Sequence, residues 1–361
     1  WPASSPVANP RNPPDRDPVI LNIENDLNRF KQINDQPYQK SFIRGQNHYD
    51  TFLLSGLGHG AQSFYFPPKT EKNCNRCHMP LVESTDFGAR PFGDSTALTV
   101  HDHLFPGANT GIAWFRDRPE TIRAQQKFLE GTMRLDLFAL RENASLSGTL
   151  HAPLRPTVPT LTPGRSYLLD AVIRTVKLGH LFTQGTVDSN EVWLTVTVRS
   201  GDRVIGANGT LDEHREVDPW AHFVNVFLLD VNGHRIDRRN PQDIFTPLYN
   251  HQIPPGAAQT VHYQLVLPKT LDGPITVEIR LNYRKFDKQY TDFIARSRKT
   301  GDLDIRGLDA GTGQLPNRLP VTVLAVDRIT FPVAGDDTRV TNDPSPVKDW
   351  IRWNDYGIGL F

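Results

Sequence analysis

From residue 132 onward the chain is written in period two. "RLDLFALRE", "SYLLDAVIRTVK", "EVWLTVTVRS", "HFVNVFLLDVNG", "TVHYQLVLP", "ITVEIRLNYRKF" and "VTVLAVDRITF" alternate apolar with polar residues. Successive side chains of a strand point to opposite faces, so each segment can bury one face of a sheet. "SGDR" and "VNG" supply hairpin-type turns between them. Seven such strands predict an antiparallel β-sandwich of immunoglobulin-like character over residues 132–335. Upstream the period is different. "VILNIENDLNRFKQI" and "YQKSFIRGQNHYDTFLLSG" have helical spacing, interrupted at Gln36-Pro37, with Gly56 as a C-cap. "RPETIRAQQKFLEG" carries Pro119 in a first turn and stops at Gly131, which predicts a short helix. The expected fold class is α+β. Residues 1–18 form an extended Pro-rich strap, 19–131 a mostly helical or irregular module, 132–335 the sandwich and 336–361 a helical tail.

Composition narrows the function classes. The chain has 40 Lys plus Arg and 40 Asp plus Glu, so its formal net charge is zero. A general binder of nucleic acid or acidic membrane needs a basic excess, which is absent. No apolar run reaches the roughly 20 residues of a membrane span. The opening "WPASSPVANPRNPPDRDP" has neither an initiator Met nor a basic-then-apolar leader, and reads as a chain from which any export signal is already gone.

The only two cysteines, Cys74 and Cys77, fall in one turn, directly followed by His78, in "EKNCNRCHMPLV". Three chemistries compete for this pattern. In c-type haem attachment each thiol adds to a haem vinyl group, and the adjacent imidazole becomes an axial iron ligand. A thioredoxin-type redox disulfide requires a βαβ setting, and the lead-in "FYFPPKTEKN" does not supply a buried parallel strand. Structural zinc requires a second Cys or His pair at short spacing, for which only "VHDH" is on offer. Covalent haem c, held by Cys74, Cys77 and His78, is therefore the expected cofactor. Haem c is matured outside the cytoplasm, so the expected location is periplasmic or extracellular.

With "CNRCHMP" go "VHDHLFPGANT", "VKLGHLFTQGTVDSNEVWL", "NHQIPPGA" and "LNYRKFD". In this order they resemble a multihaem cytochrome c family whose members carry haem modules followed by a β-sandwich. Some members end in tetratricopeptide repeats, and "RWNDYGIGLF" resembles the start of such a segment. The resemblance covers most of residues 45–361. Where the family reads Gly-His-x-Phe-Pro-Thr-Gly, this chain has Thr183 in place of the proline, and it has one Cys-x-x-Cys-His motif where members usually have several. The resemblance implies bis-histidine iron, with the second imidazole from the segment after the motif, and other cytochromes or haem modules as redox partners, in an oligomer or larger complex. The candidates in that segment are His101 and His103. Alternating residues of an extended segment face opposite sides, so only one should meet this iron. Similarity to the family's "DHLFPGAN" favours His103. His101, His59 on the Gly-rich "GLGHGAQ" loop, and His180 remain alternatives.

Other residues have blander readings. His48 lies on a predicted helix, and His151, His214, His222, His234, His251 and His262 read as hydrogen-bonded sandwich residues. Met79 adjoins the proximal ligand and Met133 sits at the domain boundary, so neither suits the distal position. The acidic loops "VDSNE" and "LDEHREVD" could bind Ca2+, but solvated turns are the preferred reading. Three functions follow. The first is an electron carrier with two protein ligands on iron and the sandwich as a docking platform. The second is an enzyme that reduces peroxide or nitrite at an open distal site, with His101, Asp102 and Arg116 as acid–base groups. The third is an assembly subunit in which haem mainly stabilises a small module.

Overall fold

The computed structural model describes residues 48–55, 74–184, 187–299, 301–302, 304–309 and 311–361. The predicted strap, most of the predicted helix over 19–56, and His59 lie outside them. The described fold is rich in β-structure. It begins with helix α1 (His48–Leu54) and the one-turn helix α2 (Asn75–His78). Strands β1 (Leu81–Glu83) and β2 (Thr99–His101) then pair antiparallel, with Leu81 opposite His101. Helices α3 (Thr110–Phe115) and α4 (Pro119–Leu129) follow. In α4, Pro119 takes a first-turn position where its missing N–H costs nothing, and Gly131 just beyond has φ +70°, a conformation glycine adopts freely.

Two four-stranded antiparallel sheets make up the body. One has the order β10-β5-β3-β4, from β10 (Ala258–Val266), β5 (Ser166–Thr175), β3 (Met133–Glu142) and β4 (Leu150–His151). The other has the order β12-β11-β6-β7, from β12 (Thr322–Phe331), β11 (Ile275–Arg284), β6 (Glu191–Ser200) and β7 (Arg203–Asn208). Their inward residues form one cluster in which Leu137, Ile173, Leu194, Val277, Leu281 and Phe331 are wholly buried. Burying each such side chain is worth about 1.5–3 kcal/mol. A small sheet of β8 (Val226–Leu229) and β9 (Thr246–Asn250), and helix α5 (Lys288–Arg296), complete this part. Asp287 caps α5, its carboxylate accepting from the Tyr290 N–H at 2.8 Å.

The tail forms helix α6 (Asp349–Leu360), which lies on the outer face of the first sheet against β10, β5 and β3. A register shift in β3 between Leu137 and Ala139 turns Phe138 outward, where it packs with Ala139, Val172 and Tyr356. Charges fill the rest of this interface. Arg352 holds Asp136 through two bonds of 2.8 and 3.0 Å, and Arg155 joins Asp136 to Asp327. Asp355 lies between Arg134 and Arg174. Asp170, wholly buried, accepts from the Tyr356 hydroxyl and from His262 Nδ1, each at 2.7 Å. Among the described residues no helix is long and apolar enough to cross a membrane.

Candidate haem site

The single turn of α2 decides the geometry of the motif. Residues three and four apart on a helix share a face, so Cys74, Cys77 and His78 project together. The turn is closed by the His78 N–H donating to the Cys74 carbonyl at 3.0 Å. Both thiols are exposed and they are not joined in a disulfide.

His78 is fixed by its surroundings. Its Nδ1 lies 2.8 Å from the Pro106 carbonyl, which can only accept, so Nδ1 carries the proton and Nε2 carries the lone pair. Such a bond orients a ligating imidazole and raises its basicity. The ring stacks on Phe105 with centres 4.8 Å apart and planes 12° apart, and Phe128 of α4 approaches at 5.3 Å. Phe105 achieves this with φ +47°, a strained setting for a bulky residue.

The neighbour across from His78 is His180, from the segment between β5 and β6. The two ring centres are 6.1 Å apart and their planes differ by 13°. The two rings are thus near-parallel neighbours, which brings both imidazoles to one site. His180 Nδ1 is 2.9 Å from the Leu181 carbonyl, which assigns the same tautomer as in His78. Burial lowers the pKa of His180 against the opposing bond to the Leu181 carbonyl, with a smaller lowering from His78, and so favours the neutral form. The segment is anchored on both sides. Phe182 enters the core, and Thr183 accepts at Oγ1 from Asn190 at 2.9 Å and at its carbonyl from Gln252.

No protein-family model and no curated protein matches the sequence. Among solved structures the chain is similar to a penta-haem cytochrome c552 from Thermochromatium tepidum, with 13% identity and a TM-score of 0.43. The match covers 79% of this chain and 51% of the other, so this chain spans about half the length of that structure. The functional reading rests on the chain's own residues.

The remaining candidates are dispersed. His101 ends β2, with Nδ1 2.6 Å from the Met79 carbonyl and Phe92 edge-on at 5.3 Å. His103 is exposed. The alternation expected for 101 and 103 does not extend through this stretch, because β2 stops at His101 and a turn follows. In that turn the Asp102 carboxylate accepts from the Leu104 N–H at 2.8 Å. Among the described residues no three His, Cys, Asp or Glu side chains converge as a metal cluster. In the acidic loops, Glu191 is instead bound to Arg284 at 2.6 Å, and Asp218 accepts from the Gly209 and Trp220 N–H groups. What sequence reasoning undervalued was the contact of His180 with His78. The signal available was the aromatic-flanked "GHLF", leading from one predicted strand toward the next.

Proposed function

We propose that this chain is a c-type cytochrome module that carries electrons outside the cytoplasm, with one covalent haem on Cys74 and Cys77, His78 as the near axial ligand and His180 as the far one. The observation that carries the reading is the pairing of His78 with His180, one helical turn from two exposed, unbridged thiols. Haem held in this way supplies reversible one-electron chemistry. The chain's part is to hold both imidazoles as Nδ1–H tautomers, through the Pro106 and Leu181 carbonyls, and to shield His78 with Phe105 and Phe128. With two protein ligands there is no open coordination position, so the electron-carrier reading is preferred to the enzymatic one. The two-sheet body is read as an immunoglobulin-like sandwich serving as a platform for other cytochromes or haem modules, and the location as periplasmic or extracellular.

Mass spectrometry of the denatured chain tests attachment. Haem mass should remain on the polypeptide, and a bare polypeptide mass ends the proposal. Electron paramagnetic resonance tests the ligands. Wild-type protein should be low-spin and His180→Ala should become high-spin and bind carbon monoxide after reduction. If His180→Ala stays low-spin while His103→Ala or His101→Ala changes, the far ligand lies in the "VHDHLF" segment instead.

A further inference from the structure

The two segments that bring His78 and His180 together are far apart in the chain, so something in the body must fix their separation. One side chain touches both. Tyr283 sits near the end of β11, the second strand of its sheet, and is wholly buried, paired with Val192 of β6 and Thr322 of β12. Its hydroxyl leaves the sheet and donates to the Ala108 carbonyl. Ala108 is two residues beyond Pro106, whose carbonyl holds His78 Nδ1. The ring of Tyr283 meets the ring of Phe182 edge-on at 5.3 Å, and Phe182 is two residues beyond His180.

We infer that Tyr283 is a positioning residue that sets the His78–His180 span, holding one ligand segment through its hydroxyl and the other through its ring. This rests on the proposed haem ligation. Core packing by itself asks only for an apolar side chain at this position, and Phe would fill it. The hydroxyl adds one bond, and that bond goes to the segment that orients His78. Burial pushes the Tyr283 pKa up, so the hydroxyl stays a donor throughout the working pH range. Phe182 and Ala108 both pack with the main core, so both segments are referenced to the same rigid body.

The test is Tyr283→Phe in the full, haem-loaded chain. The ring contact with Phe182 is kept and the Ala108 carbonyl loses its donor. A net hydrogen bond is worth about 0.5–1.5 kcal/mol, so opening of the ligand pair should become roughly two- to tenfold easier. Cyanide association with the ferric protein, limited by that opening, should accelerate by the same factor, and the low-spin g-values should shift. Haem content by pyridine haemochrome should equal wild type. Phe182→Leu, which loosens the other arm, should act in the same direction, and it stands in if Tyr283→Phe does not accumulate. Equal haem content with unchanged cyanide rate and g-values overturns the inference, even if the melting temperature falls, because a purely structural tyrosine predicts that result. Wild-type protein without covalent haem overturns the functional reading itself, and the inference with it.

Discussion

Arg352 is the side chain by which α6 is most firmly fixed, and its removal has a calculable result. Its side chain is 1% exposed, makes two bonds to Asp136, and donates to the Leu154 carbonyl at 2.7 Å. Arg352→Met keeps most of the volume and removes the charge. Breaking a buried ion pair costs about 3–5 kcal/mol when the remaining charge is left alone. Asp136 is not left alone, since Arg155 still reaches it at 2.9 Å, so the lower end, about 3 kcal/mol, applies. The orphaned Leu154 carbonyl keeps the value from falling much below that. Hydrogen exchange over residues 349–360 is the suitable assay, because it reads α6 whether the helix detaches alone or unfolds with the sheet. About 3 kcal/mol is roughly a hundredfold fall in protection. A fall of less than about fivefold, near 1 kcal/mol, would mean that the apolar contacts of Phe138, Trp353 and Tyr356 hold the helix and that the ion pair is incidental.

Lys285 is buried, and burial, reinforced by Arg239, lowers its pKa to about 8. A lowered base binds fewer protons in the folded chain, so stability should rise as pH goes from about 8 to the ordinary 10.5. Lys285→Met should be more stable than wild type at pH 7, by about 1–3 kcal/mol in urea, and should lose that slope; equal stability refutes the assignment. His222 has its pKa lowered from 6.5, first by burial and then by His251 against the opposing Gln259 bond. The unfolded chain then takes up more protons below pH 6.5, so the urea midpoint should fall with acidification, and His222→Gln should flatten that fall. Cys74→Ser and Cys77→Ser should each retain haem by one thioether at lower yield, and the double variant should show only bare polypeptide mass.

How much could be read beforehand follows from the forces involved. The strands around Leu137, Ile173, Leu194 and Val277 were legible because burial of one sheet face writes itself as alternation. Helix α4 was legible through Pro119 and Gly131. Strand β9, "TPLYN", was not, because a proline argues against a strand except at an edge, which is where it lies. Helix α5 was hidden because the preceding "LNYRKF" continues the strand pattern of β11; the signal was the Asp287 cap. Alternation also misplaced Asp136, Asp170 and Arg174, which it assigns to solvent and which α6 buries. At the site, Cys74, Cys77 and His78 stand in a local motif. The approach of His180 is set by Phe182 and Tyr283, and no local pattern encodes a contact between remote segments.

That remoteness has a kinetic side. The bond from Tyr283 to Ala108 spans 175 residues, whereas the bond from His78 to Pro106 spans 28. Contacts of large sequence separation form late, since their loops must close first. On the proposed ligation, a refolding chain with haem already attached should therefore acquire its near ligand early and its far ligand only when β11 joins the sheet. Stopped-flow absorption should show a transient that binds added imidazole, and its lifetime should report the assembly of the second sheet rather than any event at the iron.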